Sequence, residues 1–327
     1  MKRRTFCSAF IALVASGRSS SQPALRKARI GFLAEPHADE MMLRSVVEPF
    51  RHGLRELGYV EGRNVSIEFR WAEGRHERLT GLATELLRLD VDVLVAAFPA
   101  PALVAKGATR TVPIVAVGVD DPVGMGLAAT MAHPGGNVTG ISSWGQELVS
   151  KRLQLLRELV PASRRLGILM NPNAVPRVVI DERIRQWETM LGAQIRVYEA
   201  RGPNDFDGVF SALARDRVDG LVVLADANSY TQRERVNQLC VQRGMPSVWG
   251  GREFLTGGGL ASYQSDFAAI FVRAATLVDK ILKGTNPADI PFEQATKLEL
   301  IVDLRAAKAL GIAIPQALLL RADEVIQ

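Results

Sequence analysis

Cysteine and histidine are scarce in this chain of 327 residues, which contains two cysteines and four histidines. Cys7 lies in an N-terminal segment that we interpret as a removable leader, so Cys240 is left alone and neither a disulfide framework nor a cysteine metal site is expected. The histidines are scattered and form no group with the spacing of metal ligands: His37, His52, His76 and His133. We therefore expect neither a metal nor any other cofactor.

Motifs that carry catalysis are also missing. The chain contains no Gly-x-Ser-x-Gly turn, which presents a nucleophilic serine in many hydrolases. Its Gly124-Met125-Gly126 segment lacks a third glycine and does not directly follow a strand, which argues against dinucleotide binding. Because no nucleophile is paired with a base, we expect no catalytic residues and a binding protein rather than an enzyme.

Acidic side chains are absent from residues 1–27, which contain six lysines and arginines. The whole chain carries a formal net charge of +5, so the remaining residues carry −1 and lack the basic surface that binds nucleic acid. Basic residues 2–4 precede the apolar residues 6–15, a run too short to cross a bilayer. This pattern predicts a secretory signal over residues 1–27 and a periplasmic location. A frayed terminus on a chain that is not exported is the alternative.

Segments of strand character alternate with segments of helix character along most of the chain. A first series runs from residues 28–34 to residues 113–119, and a second series follows Trp144. Strands that alternate with helices predict parallel sheets covered on both faces. The similar order of the two series predicts an α/β fold with two lobes of one architecture.

Residues 111–141 lead from one predicted strand into the next. The apolar run of residues 113–119 ends at Asp120-Asp121-Pro122, because proline donates no hydrogen bond to a ladder and restricts the residue before it. We therefore place Asp120 and Asp121 at the carboxyl end of a buried strand, where open α/β sheets bind ligands; turn capping is their alternative role. The small residues after Pro122 predict a short helix, and residues 134–137 predict a turn.

Several longer segments resemble a known family. They are GLRELGYVEGRNVSIEFRWAEG (residues 53–74), DPVGMGL (121–127), PGGNVTGIS (134–142), KRLQLLRELVP (151–161), NPN (171–173), REF (252–254) and GGLASY (258–263). From residue 28 onwards the chain resembles the periplasmic substrate-binding proteins of ABC transporters, in the subfamily associated with uptake of aromatic amino acids and related small molecules.

The resemblance implies a type I periplasmic-binding fold, with two doubly wound parallel-sheet lobes joined by a hinge of three crossovers. It assigns residues 28–142 and 264–290 to the first lobe, and residues 143–263 and 291–327 to the second. Such a protein captures a small molecule between its lobes and delivers it to ABC transporter permease subunits, as a monomer and without nucleic acid. A ligand sensor on the same fold, in the cytosol or at the membrane, is the alternative function.

In that fold, the ligand is expected to contact residues at the strand ends of both lobes, with Trp144 beyond the first crossover as a cover. The candidate residues are Phe98, Pro99, Ala100, Asp120, Asp121, Trp144, Asn171, Asn173, Ala174, Asp226, Asn228 and Arg252. Members of the family that this chain resembles tend to carry a Thr/Ser-Pro-Ala turn where this chain has Phe98-Pro99-Ala100. The aromatic ring of Phe98 thus replaces the hydroxyl of a threonine or serine.

Two charged residues predict how the ligand is held. Asp226 follows the strand of residues 221–225, and its carboxylate suits a ligand ammonium. Arg252 lies just beyond the next strand and suits a ligand carboxylate, which a guanidinium binds through two hydrogen bonds. The alternative is that both residues pair with each other or cap the following helices. Phe98 and Trp144 near the cleft favour an aromatic or apolar ligand that bears a carboxylate.

Overall fold

The computed structural model describes residues 27–143, 145–175 and 177–327. Trp144 lies outside this part of the chain. So do residues 1–26, which are nearly all of the expected export signal. The described residues form two α/β lobes with one sheet in each. We name the lobe that contains the amino-terminal sheet the first lobe, and the other the second lobe.

Most of the first lobe is built before the chain leaves it at Ser142. Its elements, in chain order, are β1 (Ala28–Ala34), α1 (Glu40–Met42), a π-helical turn (Leu43–Val47), α2 (Glu48–Glu56), β2 (Val65–Trp71), α3 (Leu79–Arg88), β3 (Val93–Ala97), α4 (Pro99–Ala108), β4 (Ile114–Val119) and β5 (Val138–Ser142). The helical segment between β1 and β2 is thus interrupted by a wider π turn, a feature often found beside functional sites.

The chain then builds the second lobe and crosses between the lobes twice more. The second-lobe elements are α5 (Gly145–Leu159), β6 (Arg165–Met170), α6 (Arg177–Leu191), β7 (Gln194–Glu199), α7 (Phe206–Arg215), β8 (Gly220–Val223), α8 (Ala227–Thr231), α9 (Arg233–Gln242), β9 (Ser247–Trp249) and β10 (Ala261–Ser265). The chain returns to the first lobe with α10 (Phe267–Leu282) and β11 (Glu293–Gln294). It ends in the second lobe with β12 (Leu298–Asp303), α11 (Leu304–Ala309), α12 (Gln316–Leu319) and β13 (Glu324–Ile326).

Both sheets have the strand order of doubly wound folds. The first sheet runs β11-β5-β4-β3-β1-β2 with parallel neighbours, and the second runs β13-β12-β10-β9-β8-β6-β7. The second sheet is also mainly parallel, as predicted, but β12 is antiparallel to β10. The direction reverses because the chain re-enters this lobe from the hinge and does not form a βαβ crossover there.

The last crossover lies slightly later than the resemblance implies. β11 pairs with β5, with Glu293 opposite Ile141, so the chain remains with the first sheet beyond residue 290. The three crossovers therefore follow β5, β10 and β11.

The prediction of a short helix after Pro122 is wrong. The structure has turns over residues 122–126 and irregular backbone up to β5. Hydrogen bonds close these turns, from Met125 N to Asp121 O (2.8 Å) and from Gly126 N to Val123 O (2.9 Å). Gly126 has φ of 69°, a left-handed conformation that ends helical geometry.

Three of the strands that lead to the inter-lobe cleft are completely buried. Every residue of β3, β4 and β8 is buried, as apolar runs predict for parallel strands covered on both faces. Phe32 packs on Phe50 and Phe271, with ring centroids 5.7 and 6.1 Å apart, which joins β1 to α2 and α10. Cys240 is a buried free thiol. Within the described ranges, no helix has both the length and the hydropathy to span a bilayer.

Candidate ligand-binding site

A cavity lies between the lobes, where strand ends from both sheets meet. It holds about 1150 Å³ of empty space, including its opening to solvent. Several of the predicted contact residues line it: Phe98, Pro99, Ala100, Asp120, Ala174 and Asp226. Others lie outside its lining: Asp121, Asn171, Asn173, Asn228 and Arg252. Trp144 falls outside the described residues.

Asp226 follows β8 and is the N-cap of α8. Its Oδ1 accepts hydrogen bonds from Asn228 N (2.7 Å), Ser229 N (3.2 Å) and Asn171 Nδ2 (3.4 Å). Burial raises the pKa of the Asp226 carboxyl, and these hydrogen bonds oppose the rise because they favour the charged form. The three bonds go to one oxygen, so helix capping leaves Oδ2 for a ligand donor.

The predicted asparagines support loops around Asp226. Asn171 Oδ1 accepts from Asn173 N (3.0 Å), which shapes the turn after β6. Asn228 Nδ2 donates to Ala200 O (3.3 Å), which joins the start of α8 to the segment after β7. Asn171 thus reaches the cavity indirectly, through its bond to the Asp226 carboxylate.

The adjacent Asp120 and Asp121 have different surroundings. Asp121 is exposed, and its Oδ1 accepts from Gly124 N (2.8 Å), so it caps the turn after β4. Asp120 lines the cavity, and its Oδ1 accepts from Ser143 Oγ (2.9 Å) at the first crossover. Neighbouring side chains diverge, so only the first carboxylate of the pair faces the cleft.

Arg252 does not pair with Asp226. Its Nη2 donates to Glu299 Oε1 (3.3 Å) and to Glu324, both in the second lobe. Arg252 lines an adjoining cavity, which shares Phe98 and Gln264 with the first. The guanidinium expected to hold a ligand carboxylate is therefore engaged elsewhere.

Arg152 lies on α5 and lines the inter-lobe cavity. It occupies the buried face of that helix together with Leu148, Leu155 and Leu159, at the spacing of successive turns. Only 7% of Arg152 is exposed. This residue was not among the predicted contacts, although an arginine within an apolar helical stripe was a visible signal in the sequence.

The guanidinium of Arg152 is held by a backbone carbonyl and a nearby carboxylate. Its Nε donates to Tyr263 O (2.7 Å) on β10, and the negative charge of Asp120 acts on the guanidinium. Burial lowers the pKa of Arg152 to about 10, and the Asp120 charge opposes that fall. Arg152 therefore remains protonated at neutral pH and suits a ligand carboxylate.

Two buried polar groups on β10 line the same cavity. Gln264 and Ser265 are 4% and 1% exposed, and neither Gln264 Oε1 nor Ser265 Oγ has a hydrogen-bond partner within the described residues. Gln264 Nε2 donates to Glu299 Oε2 (3.5 Å), which sets the orientation of the amide. Buried polar atoms are nearly always hydrogen-bonded, so these two oxygens point to a polar ligand.

Aromatic side chains form the apolar walls. Phe98 stands between β3 and α4 with φ 76° and ψ 170°, a backbone region occupied almost only by glycine. Its ring packs edge-on against Phe267 and Phe271, at centroid distances of 5.5 and 6.2 Å. Tyr230 on α8 adds an aromatic ring from the second lobe. Such walls supply apolar area, while the few polar groups orient a ligand.

Two further carboxyl groups line the cavity. Glu35 follows β1, and its Oε1 lies 3.3 Å from His76 Nδ1. Burial raises the pKa of Glu35, and His76 opposes the rise. Burial also raises the pKa of Glu253, to about 7, against the opposing positive charges of Arg233 and Arg252.

Comparison with known proteins adds to this geometry. The sequence pattern of the family described as "ABC transporter substrate binding protein" matches residues 39–326. The chain belongs to this family. The matched span contains most of the cavity lining from both lobes.

One relative and two solved structures are similar to this substrate-binding protein over most of its length. A tyrosine-binding protein from Clostridioides difficile (strain R20291) is 24% identical over 263 residues, which cover 80% of this chain and 75% of the relative. A conserved domain protein from Vibrio cholerae has 27% identity and a TM-score of 0.85, covering 92% of this chain and 100% of that one. An ABC domain in complex with L-Trp from Streptococcus pneumoniae has 24% identity and a TM-score of 0.84, with the same coverage. The type I periplasmic-binding fold is thereby confirmed.

Side-chain hydrogen bonds also join the two lobes of this substrate-binding protein directly. Asp39, the N-cap of α1, accepts hydrogen bonds from Tyr230 Oη (2.7 Å) and Arg233 Nη2 (3.1 Å) of the second lobe. The Arg233 guanidinium also lies 4.5 Å from the centroid of the Tyr230 ring. We name these three residues the inter-lobe latch.

Proposed function

We propose that this protein captures an aromatic or apolar amino acid between its lobes and delivers it to the permease of an ABC importer. The observation that supports the ligand class is that a buried guanidinium and a largely buried carboxylate line one aromatic-walled cavity. Arg152 supplies the first and Asp226 the second. An α-amino acid carries the complementary carboxylate and ammonium.

Each group has a separate task. Arg152 offers its guanidinium N–H groups to the ligand carboxylate, a charge-assisted contact that fixes direction as well as energy. Asp226 Oδ2 accepts from the ligand ammonium, and a buried hydrogen bond to a charged group is worth about 1.5–3 kcal/mol. The rings of Phe98, Phe267 and Tyr230 then surround the ligand side chain.

The relatives support the aromatic class. One is named a tyrosine-binding protein, and one structure was determined in complex with L-Trp. Because the Phe98 ring occupies part of the cavity wall, we expect only ligands whose side chains fit beside this ring to bind.

The export signal expected in residues 1–27 supports a location outside the cytoplasm, where such a protein meets its permease. Amino-terminal sequencing of the protein from a periplasmic fraction is expected to give a mature chain that begins near residue 28. A chain that retains residues 1–27 and fractionates with the cytosol would instead support a ligand sensor.

A ligand screen tests the proposed class. The protein is unfolded, dialysed and refolded to remove bound molecules, and its melting temperature is then measured with aromatic amino acids, branched-chain amino acids, aromatic carboxylates and sugars. Aromatic amino acids are expected to give the largest stabilisation, because ligand that binds only the folded protein raises its stability by mass action. Stabilisation by sugars alone would contradict the proposal.

A further inference from the structure

Among the described residues that line the inter-lobe cavity, acidic groups outnumber basic ones. These charged residues are Glu35, Asp120, Asp226, Glu253 and Arg152. The Arg152 charge acts with Asp120, and Arg233 and Arg252 act on Glu253. The Asp226 charge acts on Glu35 as a like charge, alongside the opposing charge of His76.

Glu35 and Asp226 belong to opposite lobes and to facing walls. The Glu35 carbonyl accepts from Gly74 N (2.7 Å), and a Cβ placed on Gly74 would lie 3.1 Å from Thr231 Oγ1. Thr231 is the last residue of α8, the helix that Asp226 caps. The loop that holds Gly74, which is hydrogen-bonded to Glu35, therefore lies next to the end of the short helix that Asp226 caps.

The charged groups near Glu35 are of both signs. The charge of His76 lowers the pKa of Glu35, and the charges of Asp226 and Glu77 raise it. The His76 side chain is 56% exposed, so solvent screens its interaction with Glu35. Two carboxylates that face each other in one cavity repel unless a proton or a cation lies between them.

The cavity also presents a buried acceptor without a partner in the described chain. Gln264 Oε1 lines it at 4% residue exposure, with the amide orientation set by the bond from Nε2 to Glu299. A carbonyl oxygen accepts hydrogen bonds and does not donate them. We therefore expect the ligand to donate a hydrogen bond to Gln264 Oε1, which an ammonium can do.

We infer that Glu35 joins Asp226 in binding the primary ammonium of the ligand, one carboxylate from each lobe, so that the amine controls closure. This inference rests on the proposed function and deepens it. The ammonium converts a repulsion between the lobes into two attractions that exist only when the lobes are together. A ligand without the amine keeps its contact with Arg152 but leaves the repulsion in place.

The test compares L-tryptophan with indole-3-propionate, which lacks the amine, by calorimetry. The variants are Glu35→Gln and, as a control, Glu40→Gln, which removes an exposed carboxylate of the same lobe that pairs with Arg44. Glu35→Gln is expected to weaken tryptophan binding about tenfold and to leave indole-3-propionate binding unchanged or stronger. Glu40→Gln is expected to change neither affinity by more than about twofold.

Small-angle scattering gives a second readout. Tryptophan at saturation is expected to reduce the radius of gyration of the wild type more than indole-3-propionate does, and Glu35→Gln is expected to remove that difference. Equal loss of affinity for both ligands, or an unchanged tryptophan affinity in Glu35→Gln with an unchanged melting temperature, overturns the inference.

The proposed function is judged separately. A wild-type protein that binds neither indole compound refutes the aromatic class. The same comparison is then made with L-leucine and 4-methylpentanoate, which differ only by the amine. A wild type that prefers 4-methylpentanoate, or Glu35→Gln that weakens both equally, overturns the role of Glu35.

Discussion

Arg152 and Arg252 show how much the surroundings of one residue type determine its chemistry. Arg252 is exposed and bound to Glu299 and Glu324, so solvent and two carboxylates already satisfy its guanidinium. Arg152 is buried, is held through Nε and lines the cavity. A ligand carboxylate gains more from the buried cation because water screens it less.

We therefore expect Arg152→Gln to weaken L-tryptophan binding by tenfold or more, which corresponds to about 1.4 kcal/mol. Arg252→Gln is the matched control and is expected to leave the affinity within about twofold. Calorimetry measures both, with melting temperature as the check on folding. A larger effect of Arg252→Gln would indicate that Arg252, as predicted from the sequence, binds the ligand carboxylate.

Phe98 carries backbone strain at the edge of the cavity. Its φ of 76° with ψ of 170° costs a residue with a Cβ on the order of 1–3 kcal/mol. The strain is held in place by Phe98 N, which donates to Val117 O (2.8 Å), and by the ring packing on α10. This position therefore stores strain next to the proposed ligand, as binding sites often do.

An alanine variant is usually more stable than a glycine variant at the same position, and we expect the opposite order at Phe98. Phe98→Ala and Phe98→Gly both lose the ring, but only glycine relieves the strain, so the glycine variant is expected to be more stable by about 1–2 kcal/mol. Denaturant unfolding measures the difference. At Ala100, inside α4, Ala100→Gly is expected to destabilise the protein, as is normal for a helix. An alanine variant as stable as the glycine variant at position 98 would show that no strain is stored there.

At the scale of elements, the inter-lobe latch joins the start of α1 to α8 and α9. Asp39 is 30% exposed and Arg233 is 19% exposed at their side chains, so the ion pair is only partly screened. Burial raises the pKa of Tyr230, and the bond to Asp39 raises it further, so the phenol remains a donor at any physiological pH. The latch thus stabilises the state in which the lobes touch.

Arg233→Gln is expected to speed ligand dissociation about two- to tenfold and to leave association unchanged, because the latch forms after the ligand enters. The control is Arg235→Gln on the same helix, whose partner Asp207 (2.8 Å) lies in the second lobe and does not bridge the cleft. Stopped-flow fluorescence measures both rates. Equal changes in the two variants would assign the effect to the stability of α9 instead of closure.

At the scale of the whole molecule, the cavity has polar contacts on both lobes, and three crossovers connect them. A ligand that contacts both lobes favours the closed state, since those contacts exist only there. The radius of gyration at saturating L-tryptophan is therefore expected to be smaller than without ligand. An unchanged radius at saturation, with binding confirmed by calorimetry, would contradict closure.

The sequence by itself determined most elements and the class of fold. Local apolar runs depend on neighbouring residues, and β1 has the predicted bounds of residues 28–34, while β4 begins one residue inside the predicted run of residues 113–119. The prediction from the sequence failed where local signals competed. In residues 122–126 the small residues suit a helix, but Gly126 ends helical geometry. The carboxyl ends of strands also identified Phe98, Asp120 and Asp226 as cavity residues, because parallel sheets place those ends at one edge.

Only the tertiary structure decided which charges face the ligand. Arg252 and Arg152 are both basic residues near predicted cleft segments, and the difference between them is set by Glu299, Glu324 and Tyr263, which are distant in the chain. The opposition of Glu35 and Asp226 likewise depends on how two lobes meet. Local sequence encodes propensity, whereas burial and long-range charge pairing arise from packing between segments, so these features could be read only from the folded molecule.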